Sequence, residues 1–261
     1  EHCGAPRGAA VAEHSGDEVR VDRSGERCLC GFNQLCKRCR IRSCHIGENL
    51  AIDFDSCGVQ TGKPDPVDMF EPGRVANSVK IMGVKHAVIT SVDRDDLKDG
   101  GAEIWSQTVR AIRQQSPGTT LETLIPDFAG NWANLQVLID VAPEIVSHNL
   151  ETVRRLTKQV RIQAKYDRSL EVLFRLKKGG MKTKSGIMLG LGESTDEVLE
   201  TLEDLSRVNV DIVTLGQYLQ PSLNHLPVAE FITPEQFDYY REVGLKMGFR
   251  HVESGPLVRS S

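Results

Sequence analysis

An α/β fold, with parallel strands arranged as a barrel or partial barrel, is predicted by three observations. From Val75 onward, short apolar runs alternate with amphipathic segments. Polar residues collect directly after those runs. All seven cysteines stand within the first 57 residues of a 261-residue chain, so the alternating part contains none. Repeated strand and helix units imply parallel strands, buried on both faces and joined by right-handed crossovers.

Six runs read as strands: KHAVIT (85–90), TTLETLIP (119–126), PEIVSHN (143–149), KTKSGIMLG (182–190), DIVTLGQYL (211–219) and FRHVESG (249–255). Helical periodicity covers 72–83, 103–115, 131–141, 151–158, 168–180, 195–207 and 234–247. Ser194 or Thr195 before Asp196 and Glu197, and Thr233 before Pro234, are start signals for the last two helices. Residues 1 to about 35 are rich in Gly, Ala, Arg and acidic side chains without a sustained period, which predicts a segment of low order.

A net charge of -4 gives no global signal for nucleic acid, although residues 36–42 form a local basic run that reads equally well as a solvated loop. No apolar run approaches the ~18 residues of a membrane span, and the first residues lack the apolar core of a secretory signal. A cytoplasmic location is the resulting expectation. An odd number of closely spaced cysteines among Lys37, Arg38, Arg40 and Arg42 suits metal thiolates better than disulfides, because neighbouring cations favour the thiolate.

The polar residues after the strands define a mouth. Asp93, Arg94, Asp95 and Asp96 follow the first run, Asp127 and Asn131 the second, and His148, Asn149 and Glu151 the third. Gly192 and Glu193 follow the fourth, and Gln217, Tyr218 and Gln220 the fifth. Barrel active sites form at the C-terminal ends of the strands. Plainer readings exist for each group. The loop 90–102 can be a charged turn, His148 a satisfied structural histidine, and Asn149 or Glu151 the cap of a following helix. Gly186, Gly190 and Gly192 allow either close approach to a ligand or tight packing of strand on helix.

The stretches TGKPDPVDMFEPGRVANSVKIMGVKHAVITSVDRDDLKDGGA (61–102), LIPDFAGNW (124–132), SHNLETVRRL (147–156), SGIMLGLGES (185–194), TLGQYLQPS (214–222), HLPVAEFITPEQFD (225–238) and SGPLVRSS (254–261) closely resemble the lipoyl synthases. The resemblance implies a radical S-adenosylmethionine (SAM) enzyme on a partial (β/α)6 TIM-like barrel spanning 57–261, preceded by a divergent, irregular cysteine-rich extension over 1–56. It further implies two [4Fe-4S] clusters and SAM. One cluster cleaves SAM to a 5'-deoxyadenosyl radical, and the auxiliary cluster supplies sulfur for C6 and C8 of a protein-bound octanoyl group. Implied partners are octanoylated lipoyl carrier domains, such as 2-oxoacid dehydrogenase E2 subunits and the glycine cleavage H protein, with flavodoxin or ferredoxin as electron donor. Neither a membrane nor nucleic acid is expected as a partner.

Within the mouth, Asp93, Arg94, Asn149, Glu151, Glu193 and Gln217 are the residues expected to bind the cosubstrate. No side chain is expected to act as catalytic acid, base or nucleophile, because the cofactor supplies the reactive chemistry. The metal ligands implied by the resemblance are Cys39, Cys44, Cys57 and Ser261, the last being the final residue of an Arg-Ser-Ser motif. The match is incomplete at the front. Against the family's C-x3-C-x2-C motif only Cys57 fits, with Leu50 and Phe54 at the other two positions. Against C-x4-C-x5-C, Cys39 and Cys44 fit and the third position again falls on Leu50. Incomplete motifs predict impaired cluster assembly. The alternative from another class is a zinc-stabilised nucleic-acid- or protein-binding module built on Cys36-x2-Cys39, with Cys44 and Cys57 or His45.

Overall fold

The computed structural model describes the backbone of Glu18–Val21 and residues 66–161, 163–223 and 225–259. All seven cysteines and Ser261 lie outside the described residues, and so does most of the predicted extension over 1–56.

Seven parallel strands form one sheet in chain order. They are β1 (Glu18–Val21), β2 (His86–Thr90), β3 (Thr120–Leu124), β4 (Ile145–Ser147), β5 (Thr183–Leu189), β6 (Ile212–Gln217) and β7 (His251–Gly255). Every neighbouring pair is parallel, and β1 and β7 are the two edges, so the predicted partial barrel is what forms. Six strands answer the six apolar runs. The four-residue β1, which pairs Glu18 with His86 through Val21 with Ile89, is additional to them.

Helices α1 (Glu71–Met82), α2 (Ala102–Gln115), α3 (Trp132–Val141), α4 (Thr157–Val160), α5 (Tyr166–Lys178), α6 (Thr195–Arg207) and α7 (Pro234–Lys246) occupy the connections. The predicted starts are confirmed. Ser194 and Glu197 form a reciprocal capping box at α6, and the Thr233 side chain accepts from the Gln236 N–H at α7. The predicted helix over 151–158 is not there. That stretch is an extended segment, a 3-10 turn at Arg154–Leu156 and then the single turn of α4. Val153, Leu156 and Val160 supply helical spacing and are all buried, but the backbone of Glu151 is already committed to β5.

The sheet separates two chemistries. Ala87, Ile89, Leu121, Val146, Ile187, Leu189, Val213, Leu215 and Val252 face the helices and build the apolar core with them. Strand side chains alternate sides, so the inner face carries His86, Thr120, Glu122, Ser147, Lys184 and Thr214 instead. Glu122 is 3 % exposed and accepts from Ser147 Oγ at 2.7 Å and Lys184 Nζ at 2.9 Å. A buried carboxylate is tolerable only when so paired. This cluster crosses β3, β4 and β5 below the strand ends and makes a polar floor under the mouth.

Candidate functional site

The loop after β2 divides into a scaffold and a remainder. Arg94 is buried and donates from Nε and Nη2 to the two oxygens of Asp96 at 2.7 and 2.8 Å. Asp99 accepts from the N–H groups of Gly101 and Glu103, which fixes the start of α2. The charged-turn reading thus holds for Arg94, Asp96 and Asp99. Asp93 and Asp95 are left facing the mouth. Both residues keep exposed surface, and both carboxyls are held above the usual range, chiefly by partial desolvation from the protein packed around them. Asp95 and Asp127 push Asp93 further up while Arg161 opposes them, and Asp127 does the same to Asp95 with Arg168 opposing.

After β4 the chain keeps pairing where a helix was expected. The Glu151 N–H donates to Gly186 O at 2.9 Å, and Glu151 O accepts from Met188 N at 2.8 Å, so neither Asn149 nor Glu151 acts as a helix cap. Glu151 adopts φ 65°, a left-handed conformation that costs a non-glycine residue free energy. Its carboxylate accepts from Asn149 Nδ2 at 3.0 Å. Burial raises the Glu151 carboxyl above its ordinary range, against the opposing pull of Arg161 and Asn149. Asn149 Oδ1 is buried and has no hydrogen-bond partner among the described residues, and neither does Thr214 Oγ1 on the inner face of β6.

Arg161 completes this group, and sequence reasoning missed it. It follows α4 rather than a strand, and returns to the mouth by donating from Nη1 to Asn149 O at 2.8 Å. Its charge acts on Asp93, Glu151 and His148 together. One signal was available. No acidic residue lies between Glu151 and Asp167, so this arginine has no local partner in sequence.

His148 is the structural histidine of the plainer reading. It is 1 % exposed, with Nδ1 2.9 Å from Ile125 O and Nε2 3.0 Å from Ser169 Oγ. A carbonyl can only accept, so Nδ1 carries the proton and Nε2 accepts from the serine. Burial, then Arg161, lowers its pKa to about 4 despite the Ile125 carbonyl. The folded-state value lies below the unfolded one of about 6.5, so the neutral ring contributes stability above that pH and loses it as pH falls from there toward 4. Urea denaturation should therefore show stability falling across this window, and His148→Gln should lack that part of the slope; equal slopes would contradict the assignment.

Glu193 and Gln217 are engaged within their own loops. The Glu193 carboxylate accepts from the N–H groups of Gly190 and Leu191. Gln217 donates from Nε2 to Glu230 O at 3.0 Å and accepts from Ile232 N at 2.9 Å, tying the 229–232 segment to the end of β6. Asp127 pairs with Arg168 at 2.7 Å, Asn131 caps α3, and Tyr218 donates to Leu226 O at 2.8 Å. The structure thus brings together Asp93, Asn149, Glu151 and Arg161, with Arg94, Glu193 and Gln217 supporting the loops around them. Cys39, Cys44, Cys57 and Ser261 lie outside the described residues.

The Radical SAM superfamily profile matches residues 30–205. A lipoyl synthase of Flavobacterium johnsoniae is 67% identical over 206 residues, covering 78% of this chain and 72% of that protein. A mitochondrial lipoyl synthase of Nematostella vectensis is also 67% identical over 206 residues, covering 78% and 71%. Among solved structures, Streptococcus suis SuiB bound to S-adenosylmethionine superposes with a TM-score of 0.62 at 10% identity, covering 94% of this chain and 54% of SuiB. Methylornithine synthase gives a TM-score of 0.58 at 14% identity, covering 94% and 73%. At such identities the structures speak for the fold alone. The zinc-module alternative finds no support in these comparisons. Sequence relatives, profile and fold agree: the chain belongs to the lipoyl synthases, enzymes of the radical SAM superfamily, whose members use SAM with a [4Fe-4S] cluster.

Proposed function

We propose that this chain is the SAM-binding and substrate-binding body of a lipoyl synthase, acting on octanoyl groups borne by lipoyl carrier domains and inserting sulfur at C6 and C8. The observation behind the reading is the convergence of Asp93, Asn149, Glu151 and Arg161 at the strand ends, where Asn149 Oδ1 is buried without a partner among the described residues, as is Thr214 Oγ1 on the inner face of β6. These groups suit SAM. Asp93 and Glu151 accept from its amino or ribose hydroxyl groups, Arg161 offers its remaining N–H groups to the carboxylate, and the unpartnered oxygens take further donors. SAM supplies the radical precursor; the protein's part is to orient it and exclude water. Arg94, Glu193 and Gln217 serve by holding the surrounding loops rigid.

The metal donor set fits less well. In the family reading Cys39, Cys44 and Ser261 belong to the auxiliary cluster and Cys57 to the SAM cluster, but Leu50 and Phe54 have no atom able to ligate iron. A complete three-cysteine site at the family spacing is therefore missing, and we propose that the chain binds SAM yet assembles iron poorly. Octanoylated E2 or H-protein domains and a flavodoxin or ferredoxin donor complete the proposal. A cytoplasmic location belongs to it too, and cell fractionation tests it. Among the described residues no helix is long and apolar enough to cross a membrane.

Asp93→Asn tests the mouth. Losing a hydrogen bond to a charged group, worth about 1.5–3 kcal/mol, should weaken SAM binding by about 10- to 100-fold in titration calorimetry. A carboxyl whose folded pKa is raised is destabilising at pH 7, where it must ionise in the fold, and neutral in effect at pH below its unfolded value. The same variant should therefore melt higher than the parent at pH 7 and alike near pH 3. Unchanged affinity would remove Asp93 from the site.

A further inference from the structure

We propose that Arg155 is a positioning residue for the cosubstrate, bracing the Asn149–Glu151 segment against the loop after β5. Arg155 stands in the 3-10 turn that follows Glu151. Its guanidinium donates from Nε to Glu197 Oε1 at 2.6 Å, and from Nη2 to Glu197 Oε2 at 2.9 Å and to Gly192 O at 2.8 Å. One side chain therefore ties the exit of β4 to the β5 loop and to the first turn of α6. The carboxylate it holds is itself fixed, because Glu197 accepts from the Ser194 N–H in the capping box. Arg155, then that N–H, pull the Glu197 carboxyl down to about 2, so the pair is ionised at neutral pH.

Arg155 is 57 % exposed, and an exposed ion pair by itself contributes little to stability. Its role here is conformational. Glu151 sits at φ 65°, and a residue held in that region persists only where the contacts around it over-determine it. Those contacts are placed at both ends of the segment. At one end Arg161 donates to Asn149 O at 2.8 Å; at the other, Arg154 turns to Asp167 and Asp204 while Arg155 turns to the β5 loop. Between them the Glu151 N–H donates to Gly186 O, and the Met188 N–H to Glu151 O. The β5 loop is closed in turn by the Gly190 and Leu191 N–H groups, which donate to the Glu193 carboxylate. Freed at Arg155, the segment can relax out of the left-handed conformation, and the Glu151 carboxylate leaves the mouth. This rests on the reading above, in which Asn149 and Glu151 hold SAM.

Amide hydrogen exchange on the metal-free full chain reads the brace, and titration calorimetry with SAM reads the positioning. Arg155→Ala should raise exchange by about tenfold at the Glu151, Met188, Gly190 and Leu191 amides, each of which has a hydrogen bond to lose. It should weaken SAM binding by about 3- to 10-fold. The melting temperature should move by less than about 3 °C, as for an exposed pair. Glu197→Gln keeps an acceptor for the capping box but loses the charge, so it should act in the same direction, and the double variant should lose no more than Arg155→Ala alone. Arg155→Lys keeps the charge without the planar fork and should recover only part of the affinity. Arg241→Ala, which removes the exposed pair with Asp238, should change neither readout. Unchanged exchange at the four amides overturns the brace. Raised exchange with unchanged SAM affinity overturns the positioning role, and additive losses in the double variant overturn the ion pair as its basis. If the parent itself binds no SAM, the reading of the mouth fails and the positioning role with it, whereas the brace is still judged by exchange.

Discussion

The double substitution Leu50→Cys with Phe54→Cys is expected to raise the iron bound after anaerobic reconstitution by about four atoms per chain, with the brown absorbance of a thiolate-bound cluster. Together with Cys57 it creates C-x3-C-x2-C, the spacing that leaves one iron of a cubane open to the amino and carboxylate groups of SAM. Thiolate sulfur is a soft donor matched to iron clusters, whereas the leucine and phenylalanine side chains offer no lone pair. Either single substitution should gain less than the pair. If the double variant binds no more iron than the parent, the alignment of Cys57 with the third motif position is wrong.

Asp211→Ala is expected to cost about 1–3 kcal/mol of stability, by the loss of charge-assisted hydrogen bonds to a buried carboxylate whose cationic partners remain partly solvated. Asp211 is 5 % exposed, accepts from Lys177 Nζ at 2.6 Å and the Thr183 N–H at 2.9 Å, and forms an ion pair with Arg250 Nε at 3.3 Å. Its backbone joins the same junction, donating to Thr183 O and accepting from Arg250 N. One residue thus ties α5 to the starts of β5, β6 and β7. Burial pushes its carboxyl upward, but Lys177, Thr183 and Arg250 outweigh that and the net shift is downward. A depressed folded-state pKa contributes stability above the unfolded value of about 3.9 and loses it as pH falls through the folded one. Urea denaturation should show a large gap between parent and variant at pH 7 that narrows at the most acidic pH where both still fold. A gap independent of pH would mean that packing, not charge, makes this junction.

Strands β2 to β7 were legible as short apolar runs alternating with amphipathic segments, clearest in HAVIT and IVTLG. EVRV offers only two apolar residues within a charged stretch, too few to reveal β1. The missing helix over 151–158 has a different cause. Its apolar spacing is real, but the left-handed Glu151 extends pairing with β5 past the end of β4, and no periodicity reports that. In the mouth, placement at strand ends was readable and engagement was not. Arg94, Glu193 and Gln217 are all in place, yet Asp96, two backbone N–H groups and the 229–232 segment occupy them. Those partners lie in loops whose course the sequence does not announce. Arg161 reaches the mouth from a helix end, a route outside the strand-end rule.

The cost stored in the mouth separates two kinds of damaging variant. Asp93 and Glu151 are carboxylates kept at raised pKa, and Glu151 also holds a left-handed backbone. On the proposed reading of the mouth, replacing either with its amide weakens SAM binding while removing the cost of ionising the carboxyl, whereas a change at Asp211 weakens the fold itself. Cellular protein levels follow stability through proteolytic triage. An inherited change at the mouth would thus leave a normal or raised amount of inert protein competing for the same carrier domains, and one at Asp211 would leave little protein at all.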